Sequence, residues 1–246
     1  MMEPNLDIRL ALREYPQNST PIMSQRWESL LFLHWEYEAE EIQKTLPPGL
    51  FVDQFQGKAY MGITPFFMKK VKLNAMPIFS SIPDFMELNV RTYVYDETGT
   101  PGVWFYSLDA NSFLVVQAAS RILDLPYFYA NMQFKINEEQ EIDYQSQRQN
   151  TSSPVQFLYK GTAQSIEAPP GSLEFFLVER YVLFAYKKNG QLVKGRVHHA
   201  PYPLYQAEVT KWDNHLFELD GLKKPANSPQ HAVFSPGVNV DIFKLS

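Results

Sequence analysis

Residues 87–95 constrain the fold most, because polar and aromatic side chains alternate there with apolar or β-branched ones. Side chains of a strand point alternately to its two faces, so this pattern predicts a strand. One face carries a polar row: Glu87, Asn89, Arg91, Tyr93 and Tyr95. The other carries Leu88, Val90, Thr92 and Val94 and is expected to pack on a core. For a single residue, a solvated face with a Glu87–Arg91 pair is the simpler interpretation. The row as a whole has no lysine and favours a polar patch in a cavity.

Short runs of the same kind recur along the chain and predict a mainly β, β-rich α+β domain. The aromatic content of 15% suits strands, and Asn189-Gly190 between two strand-like runs predicts a hairpin. Short helices are predicted over residues 38–46, 112–123 and 173–180. The sum indicates a barrel or two packed sheets. The sequence shows neither an internal repeat nor a linker, which predicts one domain over residues 1–246 with a peripheral N-terminal segment, residues 1–24.

Composition and charge exclude several classes of function. The net charge of −5 comes without a basic stripe, so no nucleic-acid partner is expected. The chain has no cysteine, which excludes disulfides, thiolate catalysis and cysteine metal sites. The apolar runs are far shorter than a bilayer span and the N-terminal residues contain no signal-like apolar core. A cytoplasmic protein without membrane contact is therefore expected.

Sequence motifs point to no established catalytic centre. The five histidines show no metal-ligand spacing, so neither a metal nor another cofactor is predicted. His34 lies in an aromatic strand, where a hydrogen-bonded core histidine is the simpler interpretation. The nucleophile elbow, the P-loop and the dinucleotide-binding glycine motif are all absent from the sequence. The lysine doublets lie in predicted loops, where a solvated charge pair is the favoured interpretation: Lys69-Lys70, Lys187-Lys188 and Lys223-Lys224.

Three residues around the second predicted helix have two interpretations each. Ser107 and Asp109 could face the pocket, but Asp109 is interpreted in preference as a cap of the helix over residues 112–123. Arg121, near the end of that helix, is favoured there by the helix dipole. The alternative for Arg121 is an anion anchor at the mouth of the pocket.

An ordered set of segments carries a resemblance over nearly the whole chain. The segments are Trp27 with residues 31–35, then 46–50, 65–66, 87–94, 102–110, 125–127 and 176–181. Each is weak alone, but the set in this order resembles the YqjF-like family of bacterial proteins, within the acetoacetate-decarboxylase-like superfamily. The resemblance implies a β-barrel or β-meander body with a few short helices and an interior cavity.

The resemblance also bears on chemistry. Decarboxylases of this superfamily form a Schiff base on a lysine, in a Lys-Lys pair shortly after a G-x-P segment. The corresponding segment here keeps Pro126 but has Tyr127 and Phe128 where the lysines would be. The Schiff base is therefore not expected by this route, and another lysine, such as Lys58 or Lys160, would have to supply it. A glutamate of the decarboxylase cavity corresponds by eye to Glu87.

Three functions remain open at this point. The first is a cavity that binds a small keto, carboxylate or aromatic molecule. The second is an enzyme of the lyase, isomerase or hydratase type, with Glu87 as proton shuttle and Arg91 as electrostatic stabiliser. The third is a structural or interaction protein, and a homo-oligomer fits any of them. The predicted ligand-binding residues are Asn89, Tyr93, Trp104, Tyr127 and His34.

Overall fold

The computed structural model describes residues 3–74, 82–122 and 124–245, without the side chains of Ala118, Ala119, Arg121 and Ile122. Within these ranges the strands are β1 (Met23–Tyr37), β2 (Leu50–Val52), β3 (Ala59–Leu73), β4 (Phe85–Asp96), β5 (Pro101–Ala110), β6 (Tyr127–Ile136), β7 (Ile142–Arg148), β8 (Val155–Ile166), β9 (Val182–Tyr186), β10 (Leu192–His199), β11 (Leu204–Lys211) and β12 (His231–Ile242). The helices are α1 (Leu6–Ala11), α2 (Ala39–Gln43), α3 (Phe113–Ile122), α4 (Leu173–Val178) and α5 (His215–Leu219). The predicted mainly β class is confirmed.

All of these strands belong to one sheet, which closes on itself. The order is β10-β9-β5-β6-β7-β8-β11-β12-β1-β3-β4-β2, and β4 also pairs with β5 and β10 with β12. The β4–β5 pairing closes a circuit that runs through β6, β7, β8, β11, β12, β1 and β3. The β10–β12 pairing closes a second circuit through β9, β5, β4, β3 and β1. Strands β1, β3, β4, β5 and β12 are shared by both circuits.

Each circuit encloses its own apolar core. The first core lies in the circuit with β9 and β10 and is covered by α4; its members include Phe32, Tyr93, Phe176 and Val240. The second core lies in the circuit with β7 and β8; its members include Leu33, Leu88, Phe157 and Phe217. A shared strand therefore has a core on each side. This explains why every residue of β4 is buried, polar ones included.

Local sequence signals explain several of the turns and caps. Gly190 has a positive φ of 83° in the turn between β9 and β10, and the two strands pair antiparallel, which confirms the predicted hairpin. Ser172 caps α4 by accepting a hydrogen bond from the Phe175 N–H at 3.1 Å. A turn also forms at Gln56-Gly57, where Phe55 and Lys58 make an isolated antiparallel bridge, but β2 itself pairs with β4.

The N-terminal segment, predicted to be peripheral, contributes charges to the interior. Helix α1 buries none of its own residues. Beside it, however, Arg13 forms an ion pair with the buried Glu179 at 3.2 Å, and Arg9 of α1 pairs with the buried Asp53 at 2.7 Å. Among the helices of the described ranges, none is both long and apolar enough to cross a membrane.

Candidate functional site

The polar row of β4 lies inside the first core, on the face that the alternation predicts. Glu87, Asn89, Arg91 and Tyr93 are all buried, and Tyr93 is fully enclosed. Leu88 and Val90 point to the second core on the other side of the strand. The row is therefore an interior polar patch and not a solvated face.

Glu87 is a buried carboxylate that forms no ion pair with a cation of the described side chains. Its Oε2 accepts a hydrogen bond from the Tyr127 hydroxyl at 2.9 Å, which brings these two predicted residues together. Burial raises the pKa of Glu87 to about 7, and hydrogen bonds from Tyr127 and Asn89 only partly oppose that shift. Within the described ranges, no ion pair joins Glu87 to Arg91, so the alternative of a structural pair is wrong there. Both protonation states of Glu87 are accessible near neutral pH.

Arg91 is a buried guanidinium that lies against aromatic rings. Its Cζ is 5.2 Å from the centroid of the Phe32 ring and 5.8 Å from that of Tyr93. Its Nε is buried without a hydrogen-bond partner, as is Oδ1 of the neighbouring Asn89. No carboxylate of the described residues forms an ion pair with it. Because an unpaired buried charge is costly, this arrangement points to an anion from outside the chain.

Tyr93 connects the row to two buried histidines. The His34 Nε2 lies 2.6 Å from the Tyr93 hydroxyl, and the His34 Nδ1 lies 2.9 Å from Nδ1 of His231. His34 is opposite Gly62 of β3, where a Cβ would come within 3.0 Å of the imidazole. Burial and the neighbouring His231 and Arg91 hold the pKa of His34 well below its usual range. His34 is thus hydrogen bonded in the core and also adjoins the polar row.

A second guanidinium, which the sequence patterns did not single out, borders the row. The Arg180 Cζ lies 4.9 Å from the centroid of Tyr93, and Arg180 donates a hydrogen bond to Asp53 at 2.6 Å. Arg9 donates to the same carboxylate, so Asp53 is held between two arginines. Burial lowers the pKa of Arg180 to about 10, although Asp53 opposes the shift. Unlike Arg91, Arg180 has its counter-charge within the chain.

Trp104, another predicted ligand-binding residue, lies away from the polar row. Trp104 pairs with Thr92 across β4 and β5, so it shares the face opposite to Arg91 and Tyr93. There it is half-buried against a small apolar cluster of Leu50, Val94, Val182 and Phe184. Alternation along each strand can be read from the sequence, but the register between strands cannot.

Asp109 and Ser107 form a separate buried charge cluster. Arg148 donates to Asp109 at 2.9 Å and to Asp220 at 2.7 Å, and Ser107 donates to Asp220 at 2.6 Å. The expected helix-capping role of Asp109 is therefore wrong. Burial raises the pKa of Asp109 to about 6 despite Arg148. The side chain of Arg121, the other candidate of this region, lies outside the described residues.

The lysines lie away from the interior. All fourteen are in the described ranges, and each is exposed or partly exposed. Lys58 forms an ion pair with Glu36, and Lys160 lies between Glu139 and Glu208. Tyr127 is bonded to Glu87, and the centroid of the Phe128 ring lies 4.3 Å from the Arg148 Cζ.

A surface cavity of about 410 Å³ adjoins the first core without reaching the polar row. Its wall includes Glu179 and the loop between β10 and β11, residues 201–203. In that loop the buried Tyr202 ring packs edge-on against Phe32, with centroids 5.2 Å apart, and Phe32 in turn carries Arg91. Tyr202 therefore separates the cavity from the guanidinium. A second cavity of about 260 Å³ lies on β6 and β7, around Met132 and Ser146.

Comparisons with known proteins identify the family of the chain. The model of the DUF2071 family, described as an uncharacterised conserved protein, matches residues 24–239. The YqjF protein of Bacillus subtilis is 34% identical over 209 residues, which is 85% of each chain.

Solved structures of low sequence identity share the fold. Acetoacetate decarboxylase of Legionella pneumophila has a TM-score of 0.63 at 12% identity, over 95% of this chain and 90% of that one. The enduracididine biosynthesis enzyme MppR has a TM-score of 0.60 at 13% identity, over 92% of this chain and 88% of that one. The chain belongs to the DUF2071 family of YqjF-like proteins and has the acetoacetate-decarboxylase-like fold.

Proposed function

We propose that the first core binds a small organic acid, a carboxylate or keto acid, with Arg91 as the group that holds its carboxylate. The observation that carries this proposal is the buried Arg91 guanidinium, which forms no ion pair with any carboxylate of the described residues. A guanidinium presents planar paired donors that match a carboxylate, so such a ligand would supply the missing counter-charge. Phe32 and Tyr93 would form apolar walls beside it.

Acid–base catalysis on the bound acid is the second candidate, and Glu87 favours it. A carboxyl group with a pKa of about 7 can both accept and donate a proton near neutral pH. Glu87 and Arg91 lie on the same face of β4, separated along the strand by Asn89. In a ligand that extends from Arg91 as far as Glu87, the carbon next to the keto group would lie at the Glu87 carboxyl group. Isomerisation, hydration or lyase chemistry on a keto or enol acid would use such a site.

A route without a Schiff base is supported by where the lysines lie. None of the fourteen is buried, so none lies in the interior beside the polar row, where a Schiff base with the bound acid would have to form. A keto acid remains a sensible ligand class. MppR, at 13% identity to this chain, has been solved as a complex with the condensation product of pyruvate and imidazole 4-carboxaldehyde.

The test is a binding titration with pyruvate and acetoacetate by ligand-observed NMR. The wild-type chain is compared with Arg91→Met and with a matched surface control, Arg26→Met, which removes an arginine paired with Glu28. We expect Arg91→Met to weaken binding by about 30-fold or more, because a buried charge partner is lost, and the control to bind like the wild type. Equal binding by wild type and Arg91→Met would refute the proposal.

Borohydride treatment with the same acids should leave the intact mass unchanged, and a trapped lysine adduct would overturn the route without a Schiff base.

A further inference from the structure

Three buried side chains form a continuous hydrogen-bonded chain that leads away from the polar row. Tyr93 lies beside the Arg91 guanidinium, its hydroxyl is 2.6 Å from Nε2 of His34, and the other nitrogen of His34 is 2.9 Å from Nδ1 of His231. Tyr93 and His34 are completely buried, and His231 is 9% exposed. The Nε2 of His231 is buried without a partner among the described residues.

The two imidazoles must have matched tautomers. Each neutral ring has one N–H donor and one bare acceptor nitrogen, and of the two facing Nδ1 atoms one must donate and the other accept. If the His231 Nδ1 donates, the His34 Nε2 carries the proton that it offers to the Tyr93 oxygen, and the Tyr93 hydroxyl proton is free to point into the site. If the Tyr93 hydroxyl donates instead, both rings take the opposite tautomer. The chain therefore has two arrangements that differ only by proton shifts.

The far end of the chain lies near the surface. His231 is the first residue of β12 and follows the exposed Gln230. Burial lowers the pKa of His231 to about 4. The partly exposed Glu174, in the first turn of α4, opposes this shift with its negative charge. Both histidines are thus held neutral, which is the state in which an imidazole can pass a proton from one nitrogen to the other.

We propose that Tyr93, His34 and His231 are a proton relay that links the interior site to the surface, with Tyr93 as the group that exchanges a proton with the bound acid. In the inward direction a proton enters at Nε2 of His231, on the side of the exposed Gln230, and the His231 Nδ1 proton passes to Nδ1 of His34. The His34 Nε2 proton then passes to the Tyr93 oxygen, and the phenol proton leaves to an enolate oxygen or carbon of the ligand. Every member ends neutral with its original number of protons, so no buried phenolate or imidazolium is formed.

The relay rests on the proposed site, so its first test uses no ligand. In protein labelled with ¹⁵N-histidine, long-range ¹H–¹⁵N spectra distinguish the protonated from the bare ring nitrogens. We expect the signals of His34 and His231 to be averages of two tautomers. Substituting His231→Asn keeps an amide nitrogen in place of Nδ1 but interrupts the hydrogen-bonded chain of side chains at this residue. The substitution should fix His34 in one tautomer. His215, which bonds the exposed Glu218, is an internal control that stays unchanged. Single fixed tautomers in the wild-type chain would refute the relay, whatever the ligand experiments show.

The second test measures proton transfer to a ligand. Exchange of the pyruvate methyl protons in D₂O, followed by ¹H NMR, reports enolisation, and binding is measured in the same samples. We expect His231→Asn to bind pyruvate like the wild type but to slow exchange by about a hundredfold, and Tyr93→Phe to slow exchange, relative to its own bound fraction, to the same extent. The double variant should be no slower than either single variant, because both interrupt one path. Exchange at the wild-type rate in His231→Asn would overturn the relay. If the wild-type protein binds no keto acid, the proposed function is overturned, and the tautomer test decides the relay.

Discussion

Two buried arginines on the two sides of β4 and β5 have opposite surroundings. Arg148, beside the second core, bonds two carboxylates at 2.7 and 2.9 Å, so its cluster contains more negative than positive charge. Arg91, in the first core, is as buried but has aromatic rings and an amide around it. A charge that is neutralised within the chain stabilises the chain itself. A buried charge that is not neutralised there is a cost to the fold, and a ligand would remove that cost.

The largest expected effect comes from removing the paired arginine. Substituting Arg148→Met leaves Asp109 and Asp220 buried beside each other without a cation, and we expect a loss of about 3–5 kcal/mol in the free energy of unfolding. Urea unfolding at pH 8 measures it. The loss should shrink at pH 5, where the two carboxyl groups can take up a proton. A loss that is the same at both pH values would mean that the cluster does not act through charge.

A smaller effect is expected in the pH dependence that Glu87 imposes. Folding raises its pKa from 4.5 to about 7, so the folded state binds more protons than the unfolded state between these values. The contribution of Glu87 to the free energy of unfolding is therefore complete below pH 4.5, where the carboxyl group is protonated. This contribution is lost as the pH rises through about 7. At pH 8 Glu87→Gln should therefore be more stable than the wild type by up to about 3 kcal/mol.

Asp109 provides the internal comparison for that experiment. Its pKa is raised from 3.8 to about 6, so part of the decline in stability must remain in Glu87→Gln. The measurement is a series of urea unfolding curves from pH 4 to 8. If the decline is unchanged in the variant, Glu87 does not titrate as a buried, unpaired acid.

A still smaller change should follow from Tyr127→Phe. The lost hydroxyl donates to the Glu87 carboxylate, so the pKa of Glu87 should rise further, and stability at pH 8 should fall by about 1–2 kcal/mol. The matched control is Tyr144→Phe, because the Tyr144 hydroxyl donates to the backbone oxygen of Glu87 at 2.8 Å instead. ¹³C NMR of the labelled carboxyl group reports the pKa. Equal shifts in the two variants would show that Tyr127 has no specific role.

The smallest effect on stability is expected at Arg91. Substituting Arg91→Met removes a buried cation that forms no ion pair with the described residues, so the free energy of unfolding should change by less than about 1 kcal/mol, or increase. The change in the free energy of unfolding is compared with that of Arg148→Met under the same conditions. This comparison contrasts a structural arginine with one proposed to bind a ligand. A loss as large as that of Arg148→Met would place Arg91 among the structural charges.

The sequence reveals the site as far as local patterns extend. Alternation over residues 87–95 was sufficient to place the polar row on one face of β4, and Tyr127 and Glu87 were both predicted to line one cavity. The long-range partners could not be predicted, because closure of the sheet decides them. His34 and His231 are 197 positions apart and meet only because β1 pairs with β12.

Strand register was a second limit. The pairing of β4 with β5 shifts between Val90 and Arg91, where Tyr106 is the extra residue of β5. After Tyr106, odd and even positions of β5 exchange faces. Leu108 and Ala110 therefore point into the first core, whereas Ser107 and Asp109 point toward Asp220 and Arg148. No local sequence signal marks this irregularity.

A crystal structure of the protein soaked with pyruvate or acetoacetate tests the central claim most directly. We expect the ligand carboxylate within about 3 Å of the Arg91 guanidinium nitrogens, with the rest of the molecule against the polar row of β4. A ligand bound only in the outer cavity beside Tyr202, with no contact to Arg91, would contradict it.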